Sequence, residues 1–120
     1  MPHTEVVLYS EDDESAPLLE WLDRQPIKVQ AKSLVSLERL RELGHELRRP
    51  EADFLRDGIH ELRFRFQAVQ YRMLYFFFKG IAVVTHGFTK EGKVPDGEID
   101  RAIERKVRFE KDPDRHTHRE

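Results

Sequence analysis

The chain has 120 residues, of which 37% are charged and 38% are hydrophobic, and its formal net charge is −2. This length predicts one domain with a single modest core. The absence of cysteine excludes a disulfide framework and thiol chemistry, and no apolar run approaches the roughly 20 residues of a membrane span. Because the N-terminus also lacks a signal-peptide pattern, we expect a cytoplasmic protein without a membrane partner.

The first half of the chain predicts a strand followed by two helices. Residues 5–10 form a short β-prone run that is expected at an edge of a sheet. A first helix ends before Pro26, which opens a second helix over about residues 26–43 that Gly44 closes. Residues 45–58 are interpreted as a polar loop. The apolar stripe of the second helix, expected to cover the core, consists of Ile27, Ala31, Leu34, Val35 and Leu37.

Three consecutive antiparallel strands are predicted in the second half. Residues 59–67 alternate between polar and apolar side chains, and residues 70–78 are apolar at nearly every position, as in a central strand. Residues 81–88 form a third β-rich run. The two-residue linker 79–80, Lys-Gly, predicts a tight hairpin between the last two strands.

Three arginines fall on one face of this predicted sheet. A two-residue turn at residues 68–69 pairs Arg65 with Arg72, and any two-residue slip leaves Arg63 on the same face. Because like charges that face each other across strands are destabilising, such a face indicates a bound anion. The alternative is a solvated face on which Glu61 pairs with the arginines.

The position of His86 depends on one residue of register. A tight turn at 79–80 pairs His86 with Met73 and turns it towards the core, whereas a slip by one residue turns it towards Arg72. The pattern leaves both possibilities open: a hydrogen-bonded core histidine or a residue of the site.

A last helix begins at Pro95 or Asp96. It is expected to cover the apolar end of the arginine face and to leave the arginine end open. From residue 110 onward the chain is predicted to be a disordered charged tail, so that residues 1–109 form the single domain. The expected buried positions of the helix are Ile99, Ala102, Ile103 and Val107.

The charge is unevenly distributed along the chain. Residues 1–58 contain 8 Lys and Arg against 13 Asp and Glu, whereas residues 59–93 contain 6 against 2. Affinity for phosphate depends on the local field, so the sheet region is a candidate contact with nucleic acid. The sequence holds no convincing metal-ligand set or Gly-rich phosphate loop, and no cofactor or metal is predicted. A cationic cluster without a metal fits stabilisation of a phosphorane-like transition state, with an RNA 2′-hydroxyl as the nucleophile.

Four pieces of the second half form a combined pattern: GIHELR at residues 58–63, YRMLYFF at 71–77, HGFTK at 86–90, and Pro95 followed by Glu98, Ile99 and Ala102. Over about residues 59–105, this pattern resembles the HigB-like branch of the RelE/ParE toxin superfamily of type II toxin–antitoxin systems. The resemblance implies a RelE-like α+β fold, in which an N-terminal strand and a helical hairpin pack on a small antiparallel sheet with a C-terminal helix. It also implies a ribosome-dependent mRNA endoribonuclease that inhibits translation. The implied partners are mRNA on the ribosome and a cognate helix-turn-helix antitoxin.

The resemblance assigns most of the candidate catalytic residues. Arg63 and Arg72 fall on the motif arginines and are implied to hold the scissile phosphate, and Arg65 follows them by alternation. Lys90 matches the first of the family's paired lysines, whereas the second position is Glu91 here.

The residue for proton transfer is left open. The family's C-terminal tyrosine or histidine is replaced by Phe109, so His86, His116 and His118 are the available substitutes. This departure favours a non-enzymatic alternative, such as the gyrase inhibitors of the ParE branch, whereas the three arginines favour the nuclease. A third possibility is a degenerate module that keeps only the antitoxin contact.

Overall fold

The computed structural model describes residues 3–119; residues 1–2, assigned to the predicted domain, and residue 120, assigned to the predicted tail, lie outside it. None of the helices in this range is long and apolar enough to cross a membrane. The elements, in chain order, are β1 (Val6–Leu8), α1 (Pro17–Asp23), α2 (Ile27–Leu43), β2 (Ala52–Arg56), β3 (Ile59–Phe66), β4 (Val69–Phe78), β5 (Ile81–Thr89) and α3 (Asp96–Lys111).

One mixed sheet organises the molecule. The strands lie in the order β1-β5-β4-β3-β2, with antiparallel pairing from β2 to β5 and parallel pairing between β1 and β5. The α+β class, the three consecutive antiparallel strands and the edge position of the N-terminal strand are confirmed. β1 runs parallel to its neighbour β5. Parallel strands need a crossover connection, and here the chain between them forms α1, α2 and the other three strands.

The hairpin between β3 and β4 turns one residue earlier than the sequence suggests. Residues 67–68 form a two-residue turn with φ of 48° and 65°, so Arg63 pairs with Arg72 and Arg65 pairs with Gln70. The change amounts to a two-residue slip of the expected register, which leaves all three arginines on one face.

A bulge decides the orientation of His86. The tight turn at 79–80 pairs Phe78 with Ile81 as predicted, but the register shifts at Thr85, so that His86 lies opposite Leu74. The extra residue in β5 turns the imidazole towards the face that carries Arg72.

The two faces of the sheet carry separate layers of core. On one face, α1 and α2 cover a cluster that includes Trp21, Leu62 and Met73. Trp21 lies directly on β5, because a Cβ placed on Gly87 would approach its ring to within 2.3 Å. Only glycine allows this approach of the indole to the strand.

The opposite face is covered by α3. Ile99 and Ala102 are buried there as predicted, whereas Val107 is 44% exposed and the prediction for that residue is wrong. Phe109 takes its place and packs edge-on against Phe76, with 5.6 Å between the ring centroids. α3 therefore covers the apolar end of this face and leaves the arginine end open, as expected.

Most of the stripe of α2 that was predicted to cover the core points to solvent, and of its five residues Leu37 alone packs against the core. Ile27, Leu34 and Val35 are 80%, 62% and 63% exposed. The buried side of the helix contains Val29 and Ser33, and the hydroxyl of Ser33 donates a hydrogen bond of 2.9 Å to the carbonyl of Val29. Because that bond satisfies the hydroxyl, a small serine can be buried against the sheet. The most apolar stripe of α2 is therefore not its buried side.

β2 lies within the segment that was predicted to be a loop, and that prediction is wrong. It is the outermost strand beside β3, with Ala52 paired to Leu62 and Phe54 paired to His60. Its charged residues obscured the strand pattern, although edge strands often carry charged side chains.

The end of the chain packs against β1, where the sequence predicts a disordered tail over 110–120. After α3, residues 112–119 turn back along the edge of the sheet. His116 is 5% exposed, and its ring stacks on that of Tyr9 at 5.3 Å. Its carbonyl accepts a hydrogen bond of 2.8 Å from the N–H of Ser10. The charged tail thereby covers part of the edge that β1 leaves unpaired.

Candidate functional site

A buried glutamate holds two facing arginines together. Glu61 is 2% exposed, and its Oε2 lies 2.6 Å from Nη1 of Arg72. Its Oε1 lies 3.2 Å from Nη1 of Arg63, which is directly opposite Arg72 in the ladder. The carboxylate therefore offsets the repulsion that two paired arginines produce.

Arg72 fixes the loop that follows β5. Its side chain is 7% exposed, its Nε donates to the carbonyl of Lys90 at 3.0 Å, and its Nη2 donates to the carbonyl of Gly92 at 2.6 Å. With Nη1 on Glu61, each of its three nitrogen atoms already donates to a protein oxygen. The geometry makes Arg72 a residue that positions the loop; the direct contact with the scissile phosphate that the resemblance implies stays a prediction.

Arg65 lies at the exposed end of the same face. Its side chain is 52% exposed, and its Nη2 lies 2.8 Å from Oε1 of Glu91. The other carboxylate oxygen of Glu91 accepts the backbone N–H of Gln70 at 2.9 Å. The hydrogen bond from Arg65, supported by that of Gln70, lowers the pKa of Glu91. Glu91 is therefore ionised at neutral pH, and its carboxylate forms an ion pair with Arg65.

Arg63 and Arg65 line an open groove of about 310 Å³. The groove lies where the end of β3 continues past the start of its neighbour β2. We call it the arginine groove. Arg63 donates from Nε to the carbonyl of Pro50 at 2.9 Å and is 27% exposed in its side chain. The carboxylate in the wall, Glu51, is held by Arg39 through two contacts of 3.0 Å. The complete lining is Pro50, Glu51, Arg63, Phe64, Arg65 and Gln70.

Lys90 lies beside the arginine groove. Its backbone N–H donates to the carbonyl of Gln70 at 3.2 Å. Gln70 is paired with Arg65 on its other side, so Lys90 and Arg65 lie in the same row across the sheet. Its side chain is exposed and makes no ion pair with any residue from 3 to 119. Lys90 therefore brings an uncompensated positive charge to the open end of the face.

His86 is part of the interior of this face. It is 6% exposed, its Nε2 lies 3.1 Å from Oε1 of Glu98, and its Nδ1 lies 2.9 Å from the hydroxyl of Thr85. Burial, reinforced by Arg105 and Arg101, lowers the pKa of His86 to about 3. The neutral imidazole therefore donates from Nε2 to the carboxylate and accepts from the hydroxyl at Nδ1. Both ring nitrogens are occupied by the protein itself.

The structure separates the five predicted site residues into two groups. Arg63, Arg65 and Lys90 lie at the open end of the face, whereas Arg72 and His86 lie in its interior. The first group can bind a phosphate and stabilise developing negative charge.

The sequence offered Glu61 as a partner of the arginines only in the alternative of a solvated face, whereas Glu61 is buried and organises the site. Its position two residues before Arg63 on one strand was the available signal, because such residues share a face. Glu61 bonds one arginine of each group, and Arg72 belongs to the interior because its side chain is 7% exposed against 27% for Arg63.

Residues 20–107 match the model of a protein family described as "Phage derived protein Gp49-like (DUF891)". The matched region runs from α1 to α3 and includes every strand that builds the arginine groove. No curated protein matches the chain.

Proposed function

Since the chain belongs to the Gp49-like family of phage-derived proteins, which is associated with RelE-like toxin–antitoxin modules, we propose that it is the toxin of a type II toxin–antitoxin system. Its proposed activity is ribosome-dependent, metal-independent endonucleolytic cleavage of mRNA, as in HigB-like enzymes. The proposed partners are mRNA on the ribosome and a helix-turn-helix antitoxin that neutralises the toxin.

The arginine groove is the observation that carries this proposal. Arg63, Arg65 and Lys90 converge on one open end of the sheet, in a region with excess positive charge within a net acidic chain. Arg72 keeps the loop with Lys90 in place through two backbone carbonyls. Such pre-organised cations stabilise charge that develops in a transition state.

The proposed reaction uses the RNA as its own nucleophile. The 2′-hydroxyl attacks the adjacent phosphorus while the bond from phosphorus to the 5′-oxygen breaks. The products are a 2′,3′-cyclic phosphate and a 5′-hydroxyl, with the proton lost from the 2′-oxygen balanced by one gained at the leaving oxygen. In this scheme, Arg63, Arg65 and Lys90 stabilise the negative charge on the phosphoryl oxygens, and the groove aligns the strand.

The test is cleavage of a defined mRNA by the purified protein, with and without translating ribosomes. We expect cleavage only when ribosomes are present. If the protein inhibits growth but cleaves no mRNA on ribosomes, the nuclease proposal fails and a non-enzymatic inhibitor, such as one that acts on gyrase, becomes the better explanation.

A further inference from the structure

A second groove lies on the opposite face of the sheet, at the edge formed by β2. Its volume is about 370 Å³, within the range of small-ligand sites, and it opens between the end of the helical hairpin and the strands β2 and β3. We call it the histidine groove. The lining residues that concern its chemistry are His45, Arg48, Arg49, Asp53, Phe54 and His60.

Aromatic rings form the floor and one wall of the histidine groove. The ring of His60 stacks on that of Tyr75 at 5.2 Å, and the ring of His45 stacks on that of Phe77 at 3.5 Å. Phe54 meets His60 edge-on at 5.1 Å and is itself 57% exposed. An aromatic ring that is held by its neighbours and left open to solvent is a surface on which another flat ring can stack.

Three polar side chains of the histidine groove, those of His45, Arg48 and His60, are not used by the protein. No residue from 3 to 119 makes a hydrogen bond to a ring nitrogen of His45 or His60, and neither ring is completely buried. Burial, with a contribution from His45, lowers the pKa of His60, so its imidazole offers one donor and one acceptor at neutral pH. Arg48 is exposed and makes no ion pair within the described part of the chain.

A metal ion fits this arrangement poorly. Asp53, the carboxylate in the lining, already accepts two contacts from Arg49 at 2.8 and 3.0 Å and the N–H of Phe54 at 3.0 Å. No three His, Asp or Glu residues among 3–119 are placed to hold a metal. The groups that remain available are a stacking surface, two imidazoles and a cation.

The two grooves adjoin each other along the chain. Residues 48–49 and 52–53 line the histidine groove, whereas residues 50–51 line the arginine groove. A single-stranded nucleic acid that lies on Arg63 and Arg65 reaches the histidine groove by crossing this short segment.

We propose that the histidine groove holds one unpaired base of the RNA whose backbone lies in the arginine groove, with Phe54 stacking on the base, His60 hydrogen-bonding to its edge, and Arg48 contacting the adjoining phosphate. This inference rests on the proposed function, because it assigns an RNA strand to the arginine groove. It adds a subsite that fixes where the strand lies and that selects for an unpaired nucleotide.

The test uses a fluorescent 2′-O-methyl oligoadenylate, which lacks the nucleophile and therefore binds without being cleaved. Its affinity for the parent, Phe54→Ala, His60→Phe and Ile27→Ala is measured by anisotropy, together with an unfolding curve for each protein. Phe54→Ala is expected to weaken binding by about fivefold to a hundredfold, the loss that corresponds to one base stacked on an aromatic ring. His60→Phe is expected to keep most of the affinity but to distinguish the oligoadenylate from a matched 2′-O-methyl oligouridylate less than the parent does, and Ile27→Ala, an exposed apolar control on α2, is expected to bind as the parent does.

A second probe locates the base. Each position of the oligonucleotide is replaced in turn by an abasic site, and the penalty of Phe54→Ala is expected to disappear at one position only. If Phe54→Ala binds as tightly as the parent while Arg65→Ala loses affinity, the subsite is overturned and the proposed function stands. If the parent does not bind the probe at all, the subsite is likewise overturned, and the cleavage assay with ribosomes decides separately whether the proposed function fails too.

Discussion

The two faces of the sheet each carry histidine next to arginine, yet the two regions use them differently. On the face beneath α3, both ring nitrogens of His86 and all three nitrogen atoms of Arg72 are bonded within the protein. In the histidine groove, the rings of His45 and His60 are stacked, but their nitrogens make no hydrogen bond to residues 3–119. Buried polar groups with complete partners hold a fold together, whereas accessible groups without partners are free to bind a ligand.

The largest effect, a decrease in the free energy of unfolding, is expected for Arg72→Ala, which removes the ion pair between Arg72 and Glu61. The change leaves Glu61 buried with only Arg63 to offset its charge, and loss of one partner from a buried ion pair costs about 3–5 kcal/mol. We expect a loss near the lower end of this range, because Arg63 remains. Urea unfolding measures it.

A double-substitution cycle separates the ion pair from other effects of Arg72. Glu61→Gln removes the buried charge, so Arg72→Ala is expected to cost less in that background than in the parent. Arg24→Ala, at an exposed position after α1, is a control that should change stability little. A loss below about 1 kcal/mol for Arg72→Ala, the level typical of an exposed pair, contradicts the structural role.

The next effect is the loss of stability in acid that His86 causes. Its pKa is near 3 in the folded protein, below the ordinary value of 6.5, so the unfolded chain takes up the proton first as the pH falls. The stabilising contribution is complete above pH 6.5 and is lost towards lower pH, at about 1.4 kcal/mol for each pH unit. Urea unfolding at pH 6.5 and pH 5.5 measures this slope, and about 1 kcal/mol is expected between these two values because the unfolded histidine is already half-protonated at pH 6.5.

Matched variants distinguish the two histidine regions. His86→Gln keeps a hydrogen-bonding side chain without a titration near neutral pH, and it should remove most of the slope. His60→Gln should keep it, because His60 is only half-buried. Equal slopes in the two variants contradict the difference between the regions.

The smallest of these effects is expected for Glu91→Gln. The exposed carboxylate competes with RNA for Arg65, so its neutralisation should strengthen binding of the 2′-O-methyl oligoadenylate. One additional phosphate contact corresponds to a steeper salt dependence, by about 0.7 in the log–log slope for a single strand. A salt series of anisotropy measurements tests this, and weaker binding by Glu91→Gln shows that the carboxylate orders the loop instead.

Periodicity in the sequence was sufficient to predict β3, β4 and β5, because alternation and a Lys-Gly turn are local signals. It failed where a polar group is satisfied by a neighbour. Ser33 was excluded from the core although its hydroxyl bonds to Val29, and the alternation did not show that Arg72 is buried against Glu61, which pairs with Leu74 two residues further along β4. Such partners are visible only when the chain is folded.

The sequence could not predict the orientation of His86 or the histidine groove, for a different reason. A bulge of one residue at Thr85 decides the face on which His86 lies, and the pattern of β5 fits either register. The groove depends on β2, whose charged residues resembled a loop, so that Phe54 and His60 were not recognised as neighbours.

The proposed function requires that the exposed cations in and beside the arginine groove act on RNA. The most direct measurement is the rate of ribosome-dependent mRNA cleavage by Arg65→Ala and Lys90→Ala, with Arg24→Ala as the matched control and an unfolding curve for each protein. We predict a loss of about a hundredfold for Arg65→Ala and for Lys90→Ala, the size expected when one pre-organised charge is removed, with parental cleavage by the control. Parental cleavage rates in Arg65→Ala and Lys90→Ala contradict the claim.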